Sequence, residues 1–134
     1  RQNRLFDDIG APYKKITVEL AGIWINGEYL YFKLLLSNDS NIPYDIVSTN
    51  LYIKEKGFAR KASTQPIEKK PFYVYTDSNR IPAGTIQKVY IMVFEKFTIS
   101  KNKKLMFEMI EMDGGRRLEF EVNKDFIIQA PYLK

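Results

Sequence analysis

The chain has 134 residues, 45% hydrophobic and 28% charged, which fits a single domain with its own core and argues against disorder. It has no Cys and no His, which excludes disulfides, thiolate and imidazole catalysis, a Ser-His-Asp triad and Cys-based metal sites. The formal charge of +5 favours acidic partners or simply solubility, and the longest apolar run, Val89–Phe94, falls far short of the roughly 20 residues of a membrane-spanning helix.

Residues 1–13 are polar and mixed, end at Ala11-Pro12 and are predicted to be a linker, with the domain proper over 14–134. Because the chain opens with Arg1-Gln2-Asn3-Arg4 and has no initiator Met, it is expected to be a fragment or a processed form of a longer protein. Ile16, Val18 and Leu20 alternate with Thr17 and Glu19, the period-two pattern of a half-buried strand. The apolar parity then moves to Ile23 and Ile25, and a β-bulge at Gly22 accounts for the shift, since one extra residue exchanges the two faces. Asn26-Gly27 tolerates the positive φ of a type I′ turn and predicts a hairpin from Gly22–Ile25 to Glu28–Ser37. Tyr29–Leu36 is apolar on both faces, as in a central strand covered on both sides.

Ser37-Asn38-Asp39-Ser40-Asn41 reads as a turn, and Tyr44–Glu55 as a third strand rich in β-branched and aromatic residues. Phe58–Ser63 is predicted as a short edge piece, and Ile67–Tyr75 as a strand with Phe72 and Val74 on one side and Tyr73 and Tyr75 on the other. Thr85–Phe94 is predicted as a strand with Val89, Ile91 and Val93 inward. Leu105–Met112 and Arg116–Val122 form a last hairpin around Asp113-Gly114-Gly115, with Leu118, Phe120 and Val122 inward, and Phe126–Ala130 is a candidate closing strand. No window sustains a helical period. About seven to nine short, mostly antiparallel strands mean an all-β fold, expected to be a single immunoglobulin-like β-sandwich, with a more closed barrel as the alternative.

Paired carboxylates are the remaining route to catalysis. Glu108 and Glu111 are an odd distance apart on one strand and so face opposite ways, while Glu119 and Glu121 share what reads as the solvent face. No catalytic, metal or cofactor residue is assigned, and the chain is read as a non-enzyme. Asn38-Asp39-Ser40-Asn41 supplies too little charge for a calcium site. Asp113-Gly114-Gly115-Arg116-Arg117 has the parts of an anion-binding loop, but it leads into a strand and not a helix, and reads as a hairpin turn with an exposed basic rim. Basic residues also cluster at Arg60-Lys61, Lys69-Lys70 and Lys101 to Lys104. Trp24, of opposite parity to Ile23 and Ile25, is the best candidate among the aromatics for an exposed one, although core burial is the role expected first for it. The candidate partner contacts are therefore Trp24, Arg60, Lys61, Lys103, Lys104, Arg116 and Arg117. With 9 Tyr and 9 Phe, two alternatives stay open: a single-stranded nucleic-acid-binding barrel, and a carbohydrate-binding sandwich that stacks sugars on Trp24 and exposed tyrosines.

Several segments form an ordered set: Gly22-Ile23-Trp24-Ile25, Tyr29-Leu30-Tyr31-Phe32, Ser37–Ile46, Leu51–Lys56, Arg60–Gln65, Lys96–Ile99, Glu111–Arg116 and Asp125–Ala130. In this order they resemble the C-terminal domain of the TraN family encoded by Bacteroides-type conjugative transposons. Arg117 departs from the family's Gly-Gly-Arg-His pattern, so no role for an imidazole carries over. The resemblance implies a structural part of a type IV secretion-like mating apparatus, periplasmic and associated with the outer membrane. It implies binding to other apparatus subunits, with a homo-oligomer in the full assembly, and no cofactor. Basic loops would then complement acidic protein neighbours, which argues against direct nucleic-acid binding.

Overall fold

In a β-strand, alternate side chains face opposite ways, so the strands and their register decide which residues form the core and which form a surface. The computed structural model describes residues 3–6, 15–56 and 65–123. In chain order the strands are β1 (Asn3–Phe6), β2 (Ile16–Asn26), β3 (Tyr29–Asn38), β4 (Tyr44–Glu55) and β5 (Ile67–Lys69). They continue with β6 (Tyr73–Tyr75), β7 (Arg80–Ile81), β8 (Lys88–Glu95), β9 (Lys103–Glu111) and β10 (Leu118–Val122). One sheet has the order β1-β2-β3-β8-β6, and the other has the order β10-β9-β4-β5, with β7 also on β4. All pairings are antiparallel, and the two sheets pack as the expected β-sandwich.

The core lies between the sheets. Ile16, Val18 and Leu20 from β2, Leu30, Phe32, Leu34 and Leu36 from β3, and Tyr90, Met92 and Phe94 from β8 meet Leu51 and Ile53, Leu105, Phe107 and Met109, and Leu118, Phe120 and Val122 of the opposite sheet. Phe32 and Phe94 meet edge to face with ring centres 5.4 Å apart. A polar contact within this core joins the sheets, Thr49 Oγ1 to the Tyr90 hydroxyl at 3.0 Å, and satisfies both buried groups.

The β2–β3 register shifts between Leu20 and Gly22, the bulge that the parity change predicted. The turn itself sits one residue later than expected: Asn26 pairs with Tyr29, leaving Gly27-Glu28 as the two-residue loop. Gly27 has φ +64°, whereas Glu28 is not in the positive-φ region, so only the first loop position needs glycine, as in a type II′ turn. Asn3–Phe6, inside the stretch read as a linker, is an edge strand on β2. The strand expected over Ile67–Tyr75 is two short strands, β5 in one sheet and β6 in the other. Pro71 lies between them, where its missing N–H suits a break in pairing.

The expected facing of β8 is corrected. Tyr90, Met92 and Phe94 are buried in the core, whereas Val89 is 43% exposed. Both parities of this strand are apolar, so its own pattern does not choose a face. Its neighbour chooses: Leu34, Phe32 and Leu30 stand directly opposite Tyr90, Met92 and Phe94, and residues opposite each other share a face. Phe58–Ser63 and Phe126–Ala130 lie outside the described residues.

Candidate functional site

The outward side of the first sheet carries a band of aromatic side chains. Trp24 of β2 stands opposite Tyr31 of β3, Tyr31 opposite Val93 of β8, and Val93 opposite Tyr73 of β6. In the adjacent row Gly22, Lys33, Ile91 and Tyr75 follow the same order. Tyr29, one row the other way, stacks on Phe72 with ring centres 5.3 Å apart. Leu35 and Val93 are buried although they are not part of the core between the sheets, because this outer layer of side chains covers them.

Gly22 shapes the band at Trp24. A Cβ on Gly22 would lie 2.7 to 3.3 Å from three atoms of the indole six-membered ring, so the ring lies flat over the glycine backbone. Trp24 is thus half-buried on the outer face rather than in the core. Phe72, Tyr73 and Tyr75 are 62%, 54% and 53% exposed. An aromatic side chain carries roughly 150–250 Å², so three such rings place a few hundred Å² of apolar surface together, the scale at which a patch marks an interaction site.

The outward side of the second sheet has a different chemistry. Glu108, itself 6% exposed, stands directly opposite Glu119. Arg117 joins them, with Nε and Nη2 donating to Glu108 Oε2 at 2.8 and 2.6 Å and Nη2 to Glu119 Oε1 at 3.2 Å. Lys54 lies 3.6 Å from the other Glu119 oxygen. This is a carboxylate pair on one face, which pairing along a single strand had not revealed, and two cations neutralise it. Arg117 is thus engaged within the chain. Lys103 likewise pairs with Glu55 at 2.9 Å, and Lys104 stands opposite Lys54, half-buried.

Arg116 is a correction. It was expected on an exposed rim and is 4% exposed. The carboxylate of Glu111 accepts from Nε at 3.0 Å and from Nη2 at 2.6 Å, while Nη1 donates to Ser40 Oγ and Nη2 to the Pro43 carbonyl at 2.9 Å. The guanidinium lies over the Tyr44 ring, 5.2 Å from its centre, and the Tyr44 hydroxyl donates to the Arg116 carbonyl at 2.5 Å. Asn38 completes the knot: its Nδ2 donates to the Ile42 and Ile81 carbonyls, and its Oδ1 accepts from the backbone and hydroxyl of Ser40. The segments Ser37–Ile46 and Glu111–Arg116 therefore meet as one buried polar network. Asn38, Ser40, Tyr44, Glu111 and Arg116 hold this end of the sandwich together, while Ile42 and Met112 of the same segments are exposed.

Of the sequence-predicted contacts, Trp24 lies on the aromatic band, Lys103, Lys104 and Arg117 lie on the second sheet, and Arg116 lies in the knot. They do not converge. Arg60 and Lys61 lie outside the described residues. Sequence reasoning missed Tyr31, Phe72, Tyr73 and Tyr75 as a surface, although the Tyr73-Val74-Tyr75 alternation carried the signal. Among the described residues no group of His, Cys, Asp and Glu could hold a metal ion, and no helix is long and apolar enough to cross a membrane.

Comparison with curated proteins finds no match. The model of a family described as "Domain of unknown function (DUF4138)" matches residues 1–132, and the chain, a β-sandwich, belongs to that family.

Proposed function

We propose that this domain is a structural component of a conjugative DNA-transfer apparatus of the type IV secretion kind, related to the TraN proteins. In this reading it works in the periplasm near the outer membrane, by binding neighbouring subunits and not by catalysis. The ordered motifs from Gly22 to Ala130 support the family relation. The observation that carries the binding role is the aromatic band, in which Phe72, Tyr73 and Tyr75 are each more than half exposed beside Trp24 and Tyr31.

Charge and ring geometry weigh against the alternatives. A surface for single-stranded nucleic acid pairs stacking rings with cations along the backbone, yet Glu19 and Glu95 share this face with Lys33. A flat platform for sugars sets its rings in one plane, whereas Tyr73 and Tyr75 meet at 71°. A protein surface accepts both features, since aromatic anchors amid mixed charge are the usual make-up of an interface centre.

Crosslinking with mass spectrometry in cells carrying the whole transfer operon tests the reading. Crosslinks to envelope subunits of the apparatus are expected. Recovery of only cytoplasmic or DNA-bound neighbours overturns it.

A further inference from the structure

β8 is covered along only part of its outer edge. Its pairing with β6 runs from Tyr73 opposite Val93 to Tyr75 opposite Ile91 and stops there. After Tyr75 the chain turns away and places β7 on β4, in the other sheet. The direction of the remaining backbone groups follows from the ladder. The Lys96 N–H donates to the Glu28 carbonyl, so even-numbered residues of this strand line bond toward β3 and odd-numbered residues bond away from it. The Phe72 N–H, which donates to the Val93 carbonyl on the β6 side at 2.6 Å, agrees with that alternation. Val89 therefore points its N–H and C=O to the side that β6 has left, and no backbone hydrogen bond fills that side among the described residues.

A cleft of about 570 Å³ opens at this place, with Tyr75, Asp77, Pro82, Gln87, Lys88 and Val89 in its lining. Its two sides differ. On the outer face Val89 is 43% exposed and continues the apolar band through Ile91 and Tyr75. On the core side the Lys88 side chain is 8% exposed, and it is bonded to Asp77, whose side chain is 85% exposed. An ammonium group has three N–H donors, and the rim carboxylate of Asp77 engages one.

We propose that the uncovered edge of β8 takes an added strand: an extended peptide segment of a neighbouring protein, with an apolar side chain over Val89 and a carboxylate one residue away at Lys88. Side chains of a paired strand alternate between the two faces, so a residue on the Val89 side continues the apolar band and its neighbour reaches the buried ammonium. Main-chain bonds to Val89 supply affinity and the two side-chain positions supply selectivity, as in other cases of strand addition. The inference rests on the protein-binding role proposed above and assigns it a place and a partner chemistry.

The test uses a phage-displayed library of random peptides, selected on the full chain. Enriched peptides are expected to alternate apolar and acidic residues, and deuterium exchange at the Val89 amide is expected to slow when a selected peptide is added. Val89→Pro removes the N–H at an edge position, where proline is tolerated, and Lys88→Met removes the charge. Each is expected to weaken a selected peptide by about tenfold or more. Should Val89→Pro unfold the chain, Lys88→Met and the exchange rate still decide. No enrichment, or an unchanged Val89 exchange rate with peptide bound, overturns the proposal. Envelope crosslinks that survive in Val89→Pro overturn strand addition alone, whereas loss of all envelope crosslinks in the unaltered chain overturns the protein-binding role itself.

Discussion

Removing the Arg116 guanidinium would leave the Glu111 carboxylate, whose side chain is only 10% exposed, without its bidentate partner. Breaking a buried ion pair from one side costs about 3–5 kcal/mol, because the remaining charge keeps its desolvation penalty. Arg116→Met is expected to lower stability by that amount in urea unfolding, with a smaller loss in the double variant Arg116→Met/Glu111→Leu. Gly114→Ala should act in the same direction, since a Cβ there would overlap the Glu111 carboxylate. The knot also gives a pH dependence. Burial first, and then the charge of Glu111, raises Tyr44 above the ordinary tyrosine range against an opposing effect of Arg116, and burial raises Tyr90 too. Above about pH 10 the unfolded chain loses these protons while the folded chain keeps them, so the folded state binds more protons and stability falls as pH rises. Below that pH the contribution is complete. Tyr44→Phe is expected to flatten the alkaline decline of the urea midpoint, and an unchanged slope would show that Tyr44 does not drive it.

At the scale of the elements, the β2 bulge does two things. It exchanges the faces of the strand, and it brings Gly22 under the indole of Trp24. Because the chain has a single Trp, its fluorescence reports on this contact alone. Gly22→Val is expected to lift the ring from the sheet and shift the emission maximum to the red, at a stability cost within about 1–2 kcal/mol. An unshifted maximum would contradict the flat packing. The bulge was legible because Ile16, Val18 and Leu20 and then Ile23 and Ile25 show the parity change directly. The inward face of β10 was legible for the same reason, with Leu118, Phe120 and Val122 buried. β8 was not, since a strand apolar on both parities takes its facing from its neighbours. The break at Pro71 was not legible either, because the alternation of Tyr73, Val74 and Tyr75 looks the same whether one sheet or two receives the segment. Arg116 was misplaced for a third reason: its burial depends on Ser40, Pro43 and Tyr44, more than seventy residues away for each bond to these groups.

The whole molecule is a two-sheet block with unlike outer faces. On one, Arg117 and Lys54 balance Glu108 and Glu119 and leave a charge-satisfied surface. On the other, aromatic side chains flank the buried Val93 in a band that reaches toward the open edge of β8. A stable interface takes roughly 800 Å² from each partner, so the exposed rings can supply its centre while the rim and the strand edge supply the rest. On the proposed role in conjugation, the most direct measurement is the transfer frequency of a conjugative element whose copy of this protein carries Tyr73→Ser/Tyr75→Ser, compared with Glu121→Ser on the opposite face. A fall of about tenfold or more for the tyrosine variant, at unchanged protein level and melting temperature, with Glu121→Ser at the unaltered level, is the predicted result. Equal transfer by all three would contradict the assignment of function to the aromatic face.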